Sequence, residues 1–108
     1  MLEIREYINP KGRVPYRNWL TKLDAPARAR IVTAVLRVEM GNLASVKSVG
    51  RGVSELRLDF GPGYRVYFGR DGERLVILLC GGSKRRQQAD IDAAQAYWSD
   101  YKARKREE

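Results

Sequence analysis

Alternation of apolar and polar residues predicts four short strands. The first covers residues 2–8 and stops at an Asn-Pro pair. Three more are expected close together, over 53–60, 64–68 and 75–80, because a Gly-Pro-Gly turn and an Asp-Gly turn separate three strand-like runs. The run over 75–80 is apolar at every position, so we expect it inside the sheet with both faces covered.

Apolar residues three and four positions apart predict three helices. Pro15 suits the first turn of the first helix, Asp24 can cap the second, and Gly41 ends it. Ser83 is expected to cap the third. The three buried stripes are predicted to be Tyr16, Trp19, Leu20 and Leu23; Ile31, Val35 and Val38; and Ile91, Ala94, Trp98 and Tyr101.

The order βααβββα indicates a single α+β domain over residues 1–108. We expect a helical hairpin and a C-terminal helix packed on a mostly antiparallel four-stranded sheet. The segment 43–52 is expected to be a loop, and residues 102–108 a charged, frayed tail.

The charge of the chain narrows the choice of partners. Lys and Arg total 21 against 13 Asp and Glu, a net charge of +8 in 108 residues. Such an excess favours a polyanionic partner, which could be nucleic acid, an anionic membrane or an acidic protein; a merely solubilising basic surface is the alternative. No run is long enough to span a bilayer and the N-terminus does not resemble a signal peptide, so we expect a cytoplasmic protein that does not bind membranes.

The chemistry available to the chain is limited by what it lacks. It contains no histidine, which removes the commonest general base and the commonest metal ligand. Its single cysteine, Cys80, lies in an apolar run and is expected to be buried and inert. We therefore predict neither a metal site nor a cofactor.

The predicted hairpin over 53–68 brings two arginines together. If the apolar residues of both strands face the core, Arg57 lies directly opposite Arg65 or one step diagonal to it. Glu55, Asp59 and Tyr67 are expected on that same outer face. Like charges opposed in a sheet are destabilising, so the arrangement indicates either an anion-binding surface or a surface lattice neutralised by the two carboxylates. On this reading Arg65 is partly exposed, and Arg65→Ala should fold about as stably as wild type.

A second basic group opens the last helix. Lys84, Arg85 and Arg86 follow Gly81-Gly82, although a helix N-terminus favours acidic side chains. Free backbone N–H groups and basic side chains together can hold an anion, while a solvated basic turn is the alternative. Two locally unfavourable arrangements on one small sheet favour phosphate binding.

The element order and the blocks GVSELRLDFGPGYRVYF and LVILLCGGSKRRQQADI resemble the RelE/ParE toxin superfamily, with the addiction module killer protein branch, near HigB, the most similar. The resemblance implies the toxin of a type II toxin-antitoxin module: a metal-independent, ribosome-dependent mRNA endonuclease that inhibits translation. It also implies a helix-turn-helix antitoxin as partner and a possible higher-order toxin-antitoxin complex. We expect the antitoxin to cover Arg57 and Arg65 with an acidic or amphipathic segment.

The resemblance also implies roles for individual residues. Arg57 and Arg65 match positions that bind phosphate and stabilise charge, and Lys84 or Arg85 matches the basic residue opening the last helix. Relatives carry a lysine where this chain has Glu55, and a tyrosine or histidine near Ala89-Asp90-Ile91. From the residue types, the candidate catalytic residues are Arg57, Arg65, Lys84 as acid and Glu55 as base, with Asp59 and Asp90 as the other nearby carboxylates that could be the base; the candidate RNA-binding residues are Tyr64, Tyr67, Arg85 and Arg86.

The sequence leaves two other functions open. A ParE-like toxin of the same fold would inhibit DNA gyrase by binding it; the absence of the usual histidine or tyrosine base favours that function, and Arg65 and the basic start of the last helix argue against it. A non-catalytic or decayed nucleic-acid-binding member of the fold is the other.

Overall fold

The computed structural model describes residues 1–107. These residues contain three helices and a five-stranded mixed sheet. The sheet order is β1-β5-β4-β3-β2, with β1 parallel to β5 and the other pairs antiparallel. The predicted α+β class is confirmed, with one strand more than expected. The elements are β1 Glu3–Glu6, α1 Pro15–Thr21, α2 Ala25–Glu39, β2 Val46–Gly50, β3 Val53–Arg57, β4 Tyr64–Asp71, β5 Leu75–Ser83, a 3₁₀ turn Lys84–Arg86 and α3 Gln87–Arg106.

The additional strand, β2, lies where the sequence predicted a loop. It is an edge strand paired with β3, and its pairing shifts register between Ser48 and Gly50. Gly50 and Gly52 have φ angles of +94° and +83°, and Arg51 between them also has positive φ, at 56°. Glycine serves such a turn because it carries no Cβ penalty in the left-handed region. The segment shows no clean alternation of apolar residues, so its pattern did not reveal the strand.

Helices cover both faces of the sheet. α1 and α2 pack on one face, around Leu20, Ile31 and Phe68, and α3 packs on the other, around Ala94 and Trp98. β5 contributes buried residues to both cores, as predicted for a strand covered on both sides. α3 therefore covers part of the hairpin face that the sequence pattern assigned to solvent. The assignment is wrong for Glu55, Tyr67 and Arg65, which are buried, whereas Arg57 and Asp59 on that face are exposed.

The helix ends agree with the sequence in part. The Asp24 side chain accepts a hydrogen bond of 2.9 Å from the backbone N–H of Ala27 and caps α2, as predicted. Ser83 makes no capping hydrogen bond, because a 3₁₀ turn separates it from α3.

The predicted frayed tail is helical for most of its length. α3 continues through it to Arg106, and Lys105 pairs with Asp71. The end of that tail, Glu108, lies outside the described residues.

Candidate phosphate-binding site

The two hairpin arginines are direct cross-strand partners. Arg57 on β3 pairs in register with Arg65 on β4, which is one of the two placements that the alternation predicted. The Arg57 side chain is 55% exposed, and its Nε donates a hydrogen bond of 2.8 Å to Asp59. This neighbouring carboxylate raises the pKa of Arg57 above its ordinary value. Arg65 is only 6% exposed, which contradicts the expectation of a partly accessible side chain.

The basic start of the last helix meets Arg65 at Gly63. A Cβ placed on Gly63 would lie 2.8 Å from Nη1 of Arg65 and 3.3 Å from Cβ of Lys84. The backbone N–H of Lys84 also donates a hydrogen bond to the carbonyl of Pro62. The β4–β5 ladder causes this approach, because it pairs Tyr64 with Ser83. Both basic groups predicted from the sequence are therefore at the same end of the sheet.

We call Arg57, Arg65, Lys84, Arg85 and Arg86 the basic cluster. The last three are exposed on the 3₁₀ turn. Within residues 1–107, none of these three has a carboxylate at ion-pair distance. Their charges are therefore available to an anion approaching from solvent.

The predicted general base and one predicted stacking residue lie in the interior. Glu55 and Tyr67 are cross-strand partners beneath α3, and each has a relative exposure of 0%. In this structure neither side chain can contact RNA. Tyr64 is half-buried on the opposite face of the hairpin, where its ring meets the edge of Trp19 and tilts against Phe60.

A polar interior lies beneath the first turns of α3. Four buried atoms in residues 1–107 have no hydrogen-bond partner: Oε1 of Glu55, Nε of Arg65, the hydroxyl of Tyr67 and Oδ2 of Asp90. Burial raises the pKa of Tyr67, and the negative charges of Glu55 and Asp90 raise it further. Burial also raises the pKa of Asp90, opposed by the charge of Arg86.

Sequence reasoning missed this interior although a signal for it exists. Gln87 and Asp90 precede Ala94 and Trp98 at helical spacing, so they lie on the α3 face that packs against the sheet. The Asp90 carboxylate is so close to the sheet that a Cβ on Gly82 would lie 1.8 Å from its Oδ2. Reading the polar residues of the stripe with the apolar ones would have indicated a polar contact.

An open groove adjoins the basic cluster. It has a volume of about 510 Å³ and lies between α2 and the end of β3. Its walls include Arg30, Arg37, Arg57 and Phe60, and the guanidinium of Arg30 lies 4.7 Å from the centre of the Phe60 ring. The groove thus adds cationic and aromatic surface next to Arg57.

Two features are absent from residues 1–107. No three Asp, Glu or Cys side chains come together as ligands for a metal ion. None of the helices is both long and apolar enough to cross a membrane.

Comparison with known proteins places the chain in a family. Residues 18–97 match the family described as phage derived protein Gp49-like (DUF891). The chain is also 44% identical, over 89 residues, to an uncharacterized protein of Haemophilus influenzae; the match covers 82% of this chain and 90% of that protein. The chain therefore belongs to the Gp49-like phage-derived family, which is part of the RelE-like group of addiction-module toxins.

Proposed function

We propose that this protein is the toxin of a type II toxin-antitoxin module, in the HigB-like branch, and that it inhibits translation by cleaving mRNA on the ribosome. The observation that carries the proposal is the meeting of Arg57, Arg65 and Lys84 at one end of the sheet. Within residues 1–107 Lys84 has no carboxylate at ion-pair distance, and the carboxylate paired with Arg57, that of Asp59, is exposed, so the site carries positive charge that a phosphate can neutralise.

The residue types fit cleavage by the RNA itself. The 2′-oxygen bonds to the adjacent phosphorus and the bond to the 5′-oxygen breaks, giving a cyclic phosphate and a free 5′-hydroxyl. Arg57 remains protonated and stabilises the extra negative charge of the pentavalent intermediate, with Arg65 at the floor of the site. Lys84 gives a proton to the leaving 5′-oxygen.

The proton of the 2′-hydroxyl needs an acceptor that RNA can reach. Glu55 is excluded by its burial. Asp59 is exposed and hydrogen-bonded to Arg57, so we assign the proton to its carboxylate. Positioning of the mRNA by the ribosome supplies much of the rate, since correct orientation alone is a large catalytic factor. Arg85 and Arg86 hold neighbouring phosphates.

The partner we propose is a helix-turn-helix antitoxin. An acidic or amphipathic segment of that protein would cover the basic cluster and the adjoining groove, whose wall carries Arg30 and Arg37. The toxin would act in the cytoplasm, where ribosomes are, and its complex with the antitoxin could assemble further.

The test is expression of the chain alone, with mapping of new mRNA 5′ ends on translating ribosomes. Wild type should arrest growth and cut mRNA, and Arg57→Ala or Lys84→Ala should reduce the cleavage rate by roughly a hundred- to a thousandfold. Arg74→Ala is the matched control, because it removes one exposed arginine at the opposite end of the β4–β5 hairpin. Equal losses in all three variants would refute a role for the cluster.

Gyrase inhibition is the second candidate function. It is favoured by the burial of Glu55 and Tyr67, which leaves neither of these two groups to act on RNA. Growth arrest with intact mRNA and loss of supercoiling activity would support it. Growth unaffected by the wild-type chain would instead indicate a non-catalytic or decayed member of the fold.

A further inference from the structure

Two charged residues of the described chain are buried, and they lie side by side beneath α3. Glu55 on β3 is 0% exposed and Arg65 on β4 is 6% exposed. Arg65 pairs in register with Arg57, two residues beyond Glu55, so Glu55 and Arg65 are diagonal neighbours on one face. A buried carboxylate is retained only where charges or hydrogen bonds compensate it, so its contacts indicate what it holds.

Glu55 contacts two different elements at once. Its Oε2 accepts a hydrogen bond of 2.8 Å from Nε2 of Gln87, the first residue of α3. Its Oε1 lies 4.0 Å from Nε of Arg65, which is an ion pair too long to be a hydrogen bond. Lys47 on the edge strand approaches the same oxygen to 3.9 Å, but its side chain is largely exposed.

The guanidinium of Arg65 has a second contact. Its Nη1 donates a hydrogen bond of 2.5 Å to the carbonyl of Gly63. Glu55 therefore contacts Arg65 by charge and the first residue of α3 by a hydrogen bond. The loop that accepts from Arg65 at Gly63 also accepts from the backbone N–H of Lys84 at Pro62, so the guanidinium and the basic turn are attached to the same loop.

We propose that Glu55 is a positioning residue that fixes the Arg65 guanidinium relative to the basic turn Lys84–Arg86. The inference rests on the proposed function, because it assigns Glu55 a part in the same site. Glu55 cannot touch the substrate and acts through Arg65. Its negative charge orients the guanidinium, and its hydrogen bond to Gln87 fixes the start of α3.

The direct test is NMR of the Arg65 side chain, which does not depend on RNA. In wild type the Nε–H of Arg65 should give a resolved resonance that exchanges slowly with water, because the atom is buried next to a fixed charge. Glu55→Gln removes that charge at nearly constant shape, and the resonance should shift and exchange at least about tenfold faster. Asp71→Asn is the matched control, since it neutralises a carboxylate at the other end of β4.

Cleavage kinetics distinguish a residue that positions Arg65 from one that binds the substrate. Exposed cations still hold the phosphates in Glu55→Gln, so KM should stay within about twofold while kcat falls roughly ten- to a hundredfold, as when supporting residues of a site are removed. The double variant Glu55→Gln with Gln87→Glu returns a carboxylate to the same junction and should restore part of the slow exchange and of kcat. If Glu55→Gln alone does not fold, this double variant still allows the test.

Specific results would overturn the proposal. An Arg65 Nε–H that keeps its wild-type shift and exchange rate in Glu55→Gln shows that Glu55 does not position it, whatever the cleavage assay gives. A rise in KM at constant kcat would place Glu55 in substrate binding instead. A wild-type chain that cleaves no mRNA would refute the proposed function. The NMR result would still decide whether Glu55 positions Arg65.

Discussion

Removal of Arg65 should destabilise the fold, in contrast to what its alternating pattern predicts. Arg65→Ala leaves Glu55 fully buried without its nearest guanidinium. Breaking a buried pair by removing one partner costs about 3–5 kcal/mol. Glu55 keeps Gln87 at 2.8 Å and Lys47 at 3.9 Å, so we expect the lower end of that range, about 3 kcal/mol. At about 4–8 °C per kcal/mol, Tm should fall by roughly 12–24 °C.

The assay is equilibrium urea unfolding, completed as a double-mutant cycle with Glu55→Gln. A changed midpoint at constant m-value reports stability rather than a change of the unfolded state. In the Glu55→Gln background, Arg65→Ala should cost roughly 1–2 kcal/mol less than in wild type, because no buried charge is left behind. Additive effects would mean that the destabilisation comes from lost packing and not from the ion pair.

Arg57→Ala is the internal control, because it removes the same side chain from the cross-strand partner. Arg57 is exposed and pairs with an exposed carboxylate, Asp59, so its removal should leave the urea midpoint unchanged. Both variants should lose RNA cleavage, but only Arg65→Ala should lose stability. If the two variants unfold at the same urea concentration, the reasoning from burial is wrong.

Further predictions follow from single contacts. Trp98→Ala should cost about 3–5 kcal/mol in urea unfolding, because its ring is 5% exposed and packs on Gly69; an unchanged midpoint would contradict this. Gly82→Ala should also destabilise, since its Cβ would collide with the carboxylate of Asp90. Burial raises the pKa of Cys80 to about 12, so Ellman's reagent should react with it only after unfolding. Stability should fall as the pH rises from the thiol's ordinary pKa of 9.0 toward 12, because the unfolded chain ionises first.

The local patterns predicted much of the fold. The alternation of apolar and polar residues in β3 and β4 predicted that Arg57 lies directly opposite Arg65 or one step diagonal to it, and the first of these is observed. Such an alternation separates two faces of a strand, but it does not say which face meets water. The sequence pattern assigned the polar face to solvent, whereas α3 covers part of it, so Glu55 and Tyr67 are interior residues and only Arg57 and Asp59 are exposed. The missing information is tertiary: it lies in the mixed polar and apolar stripe of α3.

The alternating charges at the end of β3 show how the sheet accommodates two opposed arginines. Glu55 and Arg57 lie two residues apart in β3 and Asp59 follows just beyond the strand, so a carboxylate stands on each side of Arg57 along the chain. Asp59 pairs with Arg57 in solvent, and Glu55 faces Arg65 in the interior. Each arginine therefore has its own counter-ion in its own environment. A phosphate must compete with Asp59 for Arg57, whereas Arg65 stays bound to the fold. This division lets the exposed arginine exchange partners while the buried one keeps its position.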